Sequence, residues 1–264
     1  MRLVTWNINS VRLRQPLVMR LIDDVAPDVI CLQETKVADG QFPVSGFAER
    51  GYVHTAIRGM KAYNGVAILS RLPLTGIGAR DWVGKADCRH VYATLPNGVE
   101  LHNFYIPSGG DVPDPAANPK FDHKLRFVDE MADWWTKARS ADRKMVAVGD
   151  FNIAPLEHDV WSHKQLLDVV SHTPIEVEKL TAMQASLGWV DVARHFVPAD
   201  QKLYTWWSYR ARDWNTSDRG RRLDHVWVTP PLADRLSNHI TLRDARGWEP
   251  KPSDHVPVIV DLAD

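Results

Sequence analysis

Cysteine is nearly absent: Cys31 and Cys88 are the only two among 264 residues. Two thiols cannot build a disulfide framework or a Cys-rich zinc site, so a reducing compartment is expected. Cys31 sits in the apolar run Asp28-Val29-Ile30-Cys31-Leu32 and reads as a small buried hydrophobe. No apolar stretch approaches the ~20 residues of a membrane span. No leader precedes the short strand that Arg2-Leu3-Val4-Thr5-Trp6 predicts. A cytoplasmic protein without a membrane partner is therefore expected. Charge of one sign is not in excess: Lys+Arg 32 against Asp+Glu 33 leave a net charge of -1. The chain as a whole is no polyanion binder, so any nucleic-acid surface must be local. A Gly-x-Ser-x-Gly elbow is also missing, and Ser253-Asp254-His255 is not a serine-hydrolase triad. No linker divides the chain, so residues 1–264 are expected to form a single domain.

What is present is an ordinary globular composition, 44% hydrophobic and 25% charged. Strands are predicted over 2–8, 29–32, 64–70, 145–149, 226–228 and 256–260, with a hairpin of 89–95 and 99–105 across Pro96-Asn97-Gly98. Helical spacing covers 9–25, with Ser10 as the expected N-cap, then 121–139 and 176–187. Residues 107–120 and 204–222 read as long loops, and 155–175 as irregular. The irregular alternation and the hairpins exclude a simple parallel repeat. Two mixed sheets packed face to face with helices outside fit better.

Polar clusters recur at strand ends. Gly149-Asp150-Phe151-Asn152 follows the apolar run Met145-Val146-Ala147-Val148, and offers a carboxylate for a proton and a carboxamide for an oxygen. Trp6-Asn7-Ile8-Asn9, Leu32-Gln33-Glu34-Thr35-Lys36, Arg222-Leu223-Asp224-His225 and Ser253-Asp254-His255 repeat the pattern. Any one of them alone is best read as a turn. Five together point to a site. If these ends converge, four carboxylates meet, which implies a bound cation. Oxygen ligands without Cys suit Mg²⁺ or Mn²⁺, with Glu34 as the main ligand and Asn9 or Asp254 in support. Asp224 is the expected partner that orients His255. His90, His102 and His123 lack such a context and are expected to be structural.

Residues 202–222 carry Lys202, Arg210, Arg212, Arg219, Arg221 and Arg222 against Asp213 and Asp218, with Tyr204, Trp206, Trp207, Tyr209 and Trp214 between them. Basic groups hold phosphates and aromatic faces stack on bases, so this stretch is the expected DNA surface.

In order along the chain, Thr5-Trp6-Asn7-Ile8-Asn9-Ser10, Pro27 to Lys36, Asn64-Gly65-Val66-Ala67-Ile68, Asn103-Phe104-Tyr105-Ile106-Pro107, Gly149-Asp150-Phe151-Asn152-Ile153, Tyr204-Thr205-Trp206-Trp207, Arg221-Arg222-Leu223-Asp224 and Lys251 to Pro257 resemble the exonuclease III / apurinic-apyrimidinic endonuclease family of DNA repair enzymes. The resemblance implies a four-layer α/β sandwich. It also implies Mg²⁺-dependent cleavage of duplex DNA 5′ to abasic sites, and trimming of blocked or ordinary 3′ ends, by a monomer. Carried over, Glu34 holds the metal with Asn9 and Asp254 near a second position. Asp150 prepares the water, and Asn7 and Asn152 orient it and the phosphate. Tyr105 and His255 stabilise the transition state. Lys36 contacts DNA phosphate, and Trp206 packs around an extruded sugar. Arg221 stands where some relatives carry Trp, implying a more polar pocket wall. Bulky residues from Trp161 to His172 are expected to crowd the phosphate beyond the cut, with His172 or His163 favouring 3′ termini. Two rivals stand beside this reading: another metal phosphodiesterase of the wider superfamily, and a non-catalytic DNA-binding module.

Overall fold

The computed structural model describes residues 1–263. The chain runs β1 (Arg2–Asn7), α1 (Val11–Val25), β2 (Val29–Gln33), α2 (Val44–Ala48), β3 (His54–Arg58), β4 (Val66–Ser70), β5 (Thr75–Gly78), β6 (His90–Thr94) and β7 (Glu100–Tyr105). It continues through α3 (Pro119–Ala138), β8 (Met145–Asp150), α4 (His163–Leu166), α5 (Pro174–Ala185), β9 (Val190–Asp191), α6 (Val192–Phe196), β10 (Trp206–Trp207), α7 (Trp214–Ser217), β11 (Gly220–Arg221), β12 (Asp224–Val228), β13 (Leu236–Thr241) and β14 (Val258–Leu262). One six-stranded sheet has the order β13-β14-β1-β2-β4-β3, the other β5-β6-β7-β8-β12-β9, and β10-β11 form a separate ribbon.

Alternation along each strand sorts side chains into layers. Leu3, Val29, Cys31 and Ile68 of the first sheet meet Leu101, Val146, Val148 and Val226 of the second in the inter-sheet core. Val4, Trp6, Ile30 and Leu32 face outward under Leu17, Val18, Leu21 and Ile22 of α1. Phe104, Ala147 and Trp227 face outward under Phe127, Met131 and Trp135 of α3 and Leu180 and Met183 of α5. The expected sandwich of helix, sheet, sheet and helix is therefore what forms.

Register brings the polar strand ends to one edge. β1 runs parallel to β2, pairing Asn7 with Gln33, and β7 runs parallel to β8, pairing Tyr105 with Asp150. β12 is antiparallel to β8 and begins at Asp224 opposite Asp150. β14 is antiparallel to β1, so the segment entering it, with Asp254 and His255, lies beside the end of β1.

Several expectations shift. β3, β5 and β13 escape the apolar-run signal because they are edge strands with mostly half-buried or exposed residues. Ser10 caps nothing: its φ is 90° and its side chain makes no cap bond. Its backbone N–H instead donates to Glu34 O, and that of Val11 donates to Thr35 O, so the start of α1 is tied to the turn after β2. α5 begins earlier than expected, at Pro174, behind a Thr173–Glu176 capping box. The 204–222 loop contains the β10-β11 ribbon and the short α7.

Arg222 departs furthest from expectation. It is fully buried rather than part of a basic surface. Its Nε and Nη2 donate to the two oxygens of Asp159 at 2.8 Å each, and Nη1 donates to Asp191 at 2.7 Å. Removing one partner of such an assembly strands the others, so Arg222→Met is expected to destabilise the fold by about 3–5 kcal/mol in urea unfolding. Mild acid should act first through other groups, since burial would raise Asp159 but Arg222 and Arg194 hold it below the usual carboxylate range. His225 and His239 are buried, and burial lowers both from the ordinary 6.5 to about 4. The folded state therefore holds them neutral where the unfolded chain would protonate them, and stability should fall as pH drops through the window from 6.5 to about 4. A urea midpoint that stays flat across this window would refute the assignment.

Candidate active site

The strand ends turn out of the sheets through left-handed backbone. Asn9 has φ 47°, Ser10 90°, Glu34 49°, Lys36 53° and Asn152 56°. Such conformations cost of order 1–3 kcal/mol each outside glycine and cluster where geometry matters more than stability. Two glycines make the approach possible. A Cβ on Gly149 would lie 1.9 Å from Phe104 O, and one on Gly65 2.2 Å from Thr35 Oγ1. The Gly-Asp-Phe-Asn and Asn-Gly motifs thus require glycine because neighbouring chain passes too close for any side chain.

These turns bring the two sheets' carboxylates together. Asn7 Nδ2 donates to Glu34 Oε1 at 3.0 Å and to Asp150 Oδ2 at 2.9 Å. Tyr105 OH donates to the same Glu34 oxygen at 2.8 Å. Asn152 donates its backbone N–H to Asp150 Oδ1 at 2.9 Å and its amide to Asp150 Oδ2 at 3.1 Å. On the far side, His255 Nδ1 faces Asp224 Oδ2 at 2.8 Å and its Nε2 stands 3.7 Å from Asp150 Oδ2. Asn9 Nδ2 donates to Asp254 Oδ1 at 3.1 Å, and Trp206 Nε1 to Asp254 Oδ2 at 3.0 Å. Lys36 Nζ reaches Glu34 Oε2 at 2.7 Å and Asn9 Oδ1 at 2.6 Å.

Burial sets the charges. It is the main cause that pushes Asp150 up to about 7, with Asp224 and Glu34 adding to it and His255 and Asn7 opposing. Burial alone would lower His255, but the Asp224 and Asp150 carboxylates outweigh it and push it up to about 10. Burial would raise Glu34 too, yet Lys36, the Asn7 amide and His255 hold it below the usual carboxylate range. Burial and the Glu34 and Asp150 carboxylates raise the Tyr105 phenol well above its ordinary value, so it remains a donor.

A cleft of about 680 Å³ opens over this floor, lined by Glu34, Tyr105, Asp150, Asn152, Asp254 and His255. Its wall carries Trp161, Val169, Val170, Ser171, Trp206, Arg210, Arg219, Arg221 and Leu223. Arg210 is exposed at the rim, and Arg219 stacks on Trp161 with its guanidinium 4.6 Å from the ring centre. Asn7 and Asp224 lie buried behind the lining. His172 does not reach the cleft. It is 1% exposed, and its Nδ1 and Nε2 face Ala154 O at 2.6 Å and His163 Nδ1 at 2.7 Å. Both ring nitrogens of His172 are therefore used inside the protein, and neither His172 nor His163 lines the cleft. The wall they were expected to form belongs to Val169, Val170 and Ser171.

Sequence reasoning missed Lys124 and Glu176, which pair with no exposure to water. Lys124 Nζ also donates to Asn152 O at 2.8 Å and Ser108 O at 3.2 Å, holding the turn after β8 against the 108 loop. A lysine on an amphipathic helix gives no hint of this. Arg14 was missed likewise: it donates to the carbonyl of Asn9, to Lys251 O at 2.8 Å and to Tyr209 OH at 2.9 Å.

Two groups could hold a metal ion. Asp150, Asp224 and His255 bring ligand atoms within 4.8 Å of one another. That group, however, is held together by its own hydrogen bond, and His255 is driven toward its cationic form, which repels a metal. Glu34, Asn9 and Asp254 offer only oxygens with Asn9 between the two carboxylates, and the Lys36 ammonium seated on Glu34 and Asn9 shows that a positive charge fits there. This donor set suits a hard divalent cation.

Known proteins share this arrangement of chain. An exodeoxyribonuclease III of Haemophilus influenzae is 29% identical over 98% of both chains. An AP endonuclease from Archaeoglobus fulgidus superposes with a TM-score of 0.91 at 30% identity, covering 99% of each chain. A Neisseria 3′ phosphatase, solved with a product DNA hairpin, superposes at 0.90 with 29% identity over the full length of both. The model of the endonuclease/exonuclease/phosphatase family matches residues 4–255, from the first residues of β1 to the histidine over Asp224, and the chain belongs to that family.

Proposed function

We propose that this protein is a metal-dependent DNA repair nuclease that hydrolyses the phosphodiester 5′ to an abasic site and removes nucleotides or blocking groups from 3′ ends of duplex DNA. The observation that carries the reading is the pairing of a near-neutral buried base, Asp150, with a cationic His255 across a gap of 3.7 Å, under a cleft walled by arginines and tryptophans. A carboxyl pushed up to about 7 is matched to taking a proton from water at neutral pH. Asn7 and Asn152 fix its two oxygens, so the water it holds has one direction of attack. His255, locked by Asp224, presents its Nε2 donor to the phosphate oxygens as charge develops on them, and the Tyr105 hydroxyl, which donates to Glu34 here, would turn to join it. Mg²⁺ or Mn²⁺ at Glu34, with Asn9 or Asp254, would add Lewis-acid stabilisation. On this reading Lys36, released from Glu34 and Asn9 by the metal, and Arg210 would meet the DNA backbone, and Trp206 would offer a face to an extruded sugar, which costs least to extrude where a base is missing. The protein acts as a single-domain monomer inside the cytoplasm on this reading. No described helix is long and apolar enough to cross a membrane.

The test uses a 5′-labelled duplex with one internal abasic analogue, with and without Mg²⁺. Cutting at the lesion, or shortening from the 3′ end, that requires Mg²⁺ is the expected result. Binding without turnover would support the non-catalytic module instead. Asp150→Asn should lower kcat by roughly 10²–10⁴-fold with little change in DNA affinity. Asp224→Asn should lower kcat by about 10²-fold, since it releases His255 without touching the floor of the cleft. A loss confined to KM in either variant would remove that residue from its role.

A further inference from the structure

Arg221 is a largely buried cation with no acidic side chain at hydrogen-bond distance among the described residues. Its Nη1 donates to Val170 O at 2.9 Å and Ser171 Oγ at 2.8 Å. Its Nε is buried and has no partner among the described residues. The carboxylate whose field acts on it is Glu176. That carboxylate is engaged by Lys124, by the backbone N–H groups of Ser171 and Thr173, and by the Thr173 hydroxyl. Arg222, one residue later, has two aspartates at hydrogen-bond distance. Burying a guanidinium without such partners is costly, and at a cleft wall it points to an anion supplied from outside the protein.

The ladder sets how far Arg221 stands from His255. Arg221 pairs with Trp206, and Trp206 pairs in turn with His255. Two strand spacings, roughly 10 Å, therefore separate the backbone of Arg221 from that of His255. An arginine side chain and one short ester arm span that interval. The same guanidinium lies 5.3 Å from the centre of the Trp206 ring, which holds it beside the face meant for the departing group.

We infer that Arg221 recognises an oxyanion on the far side of the attacked phosphate, so that 3′ ends blocked by an acidic remnant are preferred over ends carrying a neutral one. The inference rests on the phosphodiester-hydrolysing reading above. For a strand ending in a phosphoglycolate, water oxygen bonds to phosphorus and the P–O3′ bond breaks. One water proton passes to Asp150 and the other stays on the new phosphate oxygen. The departing O3′ takes a proton from solvent to become the 3′ hydroxyl, Asp150 returns its proton to solvent, and phosphoglycolate leaves. Arg221 forms and breaks no covalent bond; it holds the glycolate carboxylate through the step.

The experiment compares kcat/KM on nicked duplexes whose 3′ phosphate carries either a glycolate or an uncharged ethyl ester, in Mg²⁺, for the unaltered protein and for Arg221→Gln and Arg221→Lys. The unaltered protein should favour glycolate by about tenfold or more, the usual worth of a hydrogen bond to a charged group. Arg221→Gln should lose most of that ratio, and Arg221→Lys should keep part of it. A third pair separates the sources of the anion: an internal abasic analogue followed by an ordinary phosphate or by an uncharged methylphosphonate. A ratio confined to this pair would assign Arg221 to the strand's next phosphate, and so would overturn the preference for acidic 3′ ends. Equal turnover of glycolate and ethyl ends by the unaltered protein overturns the inference and leaves the nuclease reading intact, and it does so even if the variants fail to fold. Equal losses on both ends in Arg221→Gln overturn it as well. Absence of Mg²⁺-dependent turnover on every substrate would overturn both readings together.

Discussion

The Asn7 carboxamide holds the two halves of the site in one place. Its nitrogen carries two hydrogens, and each is spent on a carboxylate from a different sheet: Glu34 at the end of β2 and Asp150 at the end of β8. Without that bridge, two buried carboxylates would face each other across the sandwich edge and repel. Asn7 itself has no freedom, since its oxygen accepts from the Asn9 N–H and its backbone carbonyl accepts from Ser253 Oγ. The distance between the Glu34 and Asp150 carboxylates is thus set by the packing of sheet on sheet. A change in inter-sheet spacing would be felt directly at the chemistry.

The core beneath the bridge is arranged to keep that spacing. Gln33 donates to Thr5 Oγ1 and Asn103 Oδ1, and Asn103 donates in turn to the carbonyls of Leu32 and Ala67. These bonds cross between the sheets one residue below Glu34 and two below Tyr105. A buried polar network that is largely satisfied has one geometry, whereas an apolar contact tolerates sliding. The left-handed turns at Asn9, Glu34 and Asn152 draw on this rigidity, because strained backbone persists only where its surroundings over-determine it. Lys124 acts in the same sense from behind, through the Asn152 carbonyl.

Legibility in the sequence followed burial. The central strands were readable because both faces are covered, which yields apolar runs such as Met145 to Val148. β3, β5 and β13 gave no such run because only their inner edges are covered. The floor residues were readable because each sits at or beside one end of a strand, and the parallel and antiparallel registers send those ends to one edge. The wall was readable only in composition. Arg221 and Arg222 look alike in sequence, but adjacent residues point to opposite sides, so one lines the cleft and the other enters the core to meet Asp159 and Asp191. His172 misled for a similar reason. Its bulk near the Asp150 strand end suggested that it crowds the cleft, yet a carbonyl and a second imidazole hold both of its nitrogens away from it.

Floor and wall differ in how their charges are balanced, and the difference orients a substrate. Asp150, Glu34 and Asp254 each accept two or more hydrogen bonds from neighbours, and His255 is paired with Asp224. Among the described residues Arg219 and Arg221 have no such acidic partners, only an aromatic face, a carbonyl or a hydroxyl, and Arg210 is exposed at the rim. A phosphodiester strand entering the cleft therefore meets negative groups held fixed on one side and positive groups awaiting anions on the other. On the proposed function, charge would draw the strand along the wall, while the floor would take the one phosphate that a cation and His255 neutralise. Affinity would then reside in the wall and chemistry in the floor. The rows that join them, Arg221 to Trp206 to His255, are where a substrate's end group would alter the rate without changing the reaction.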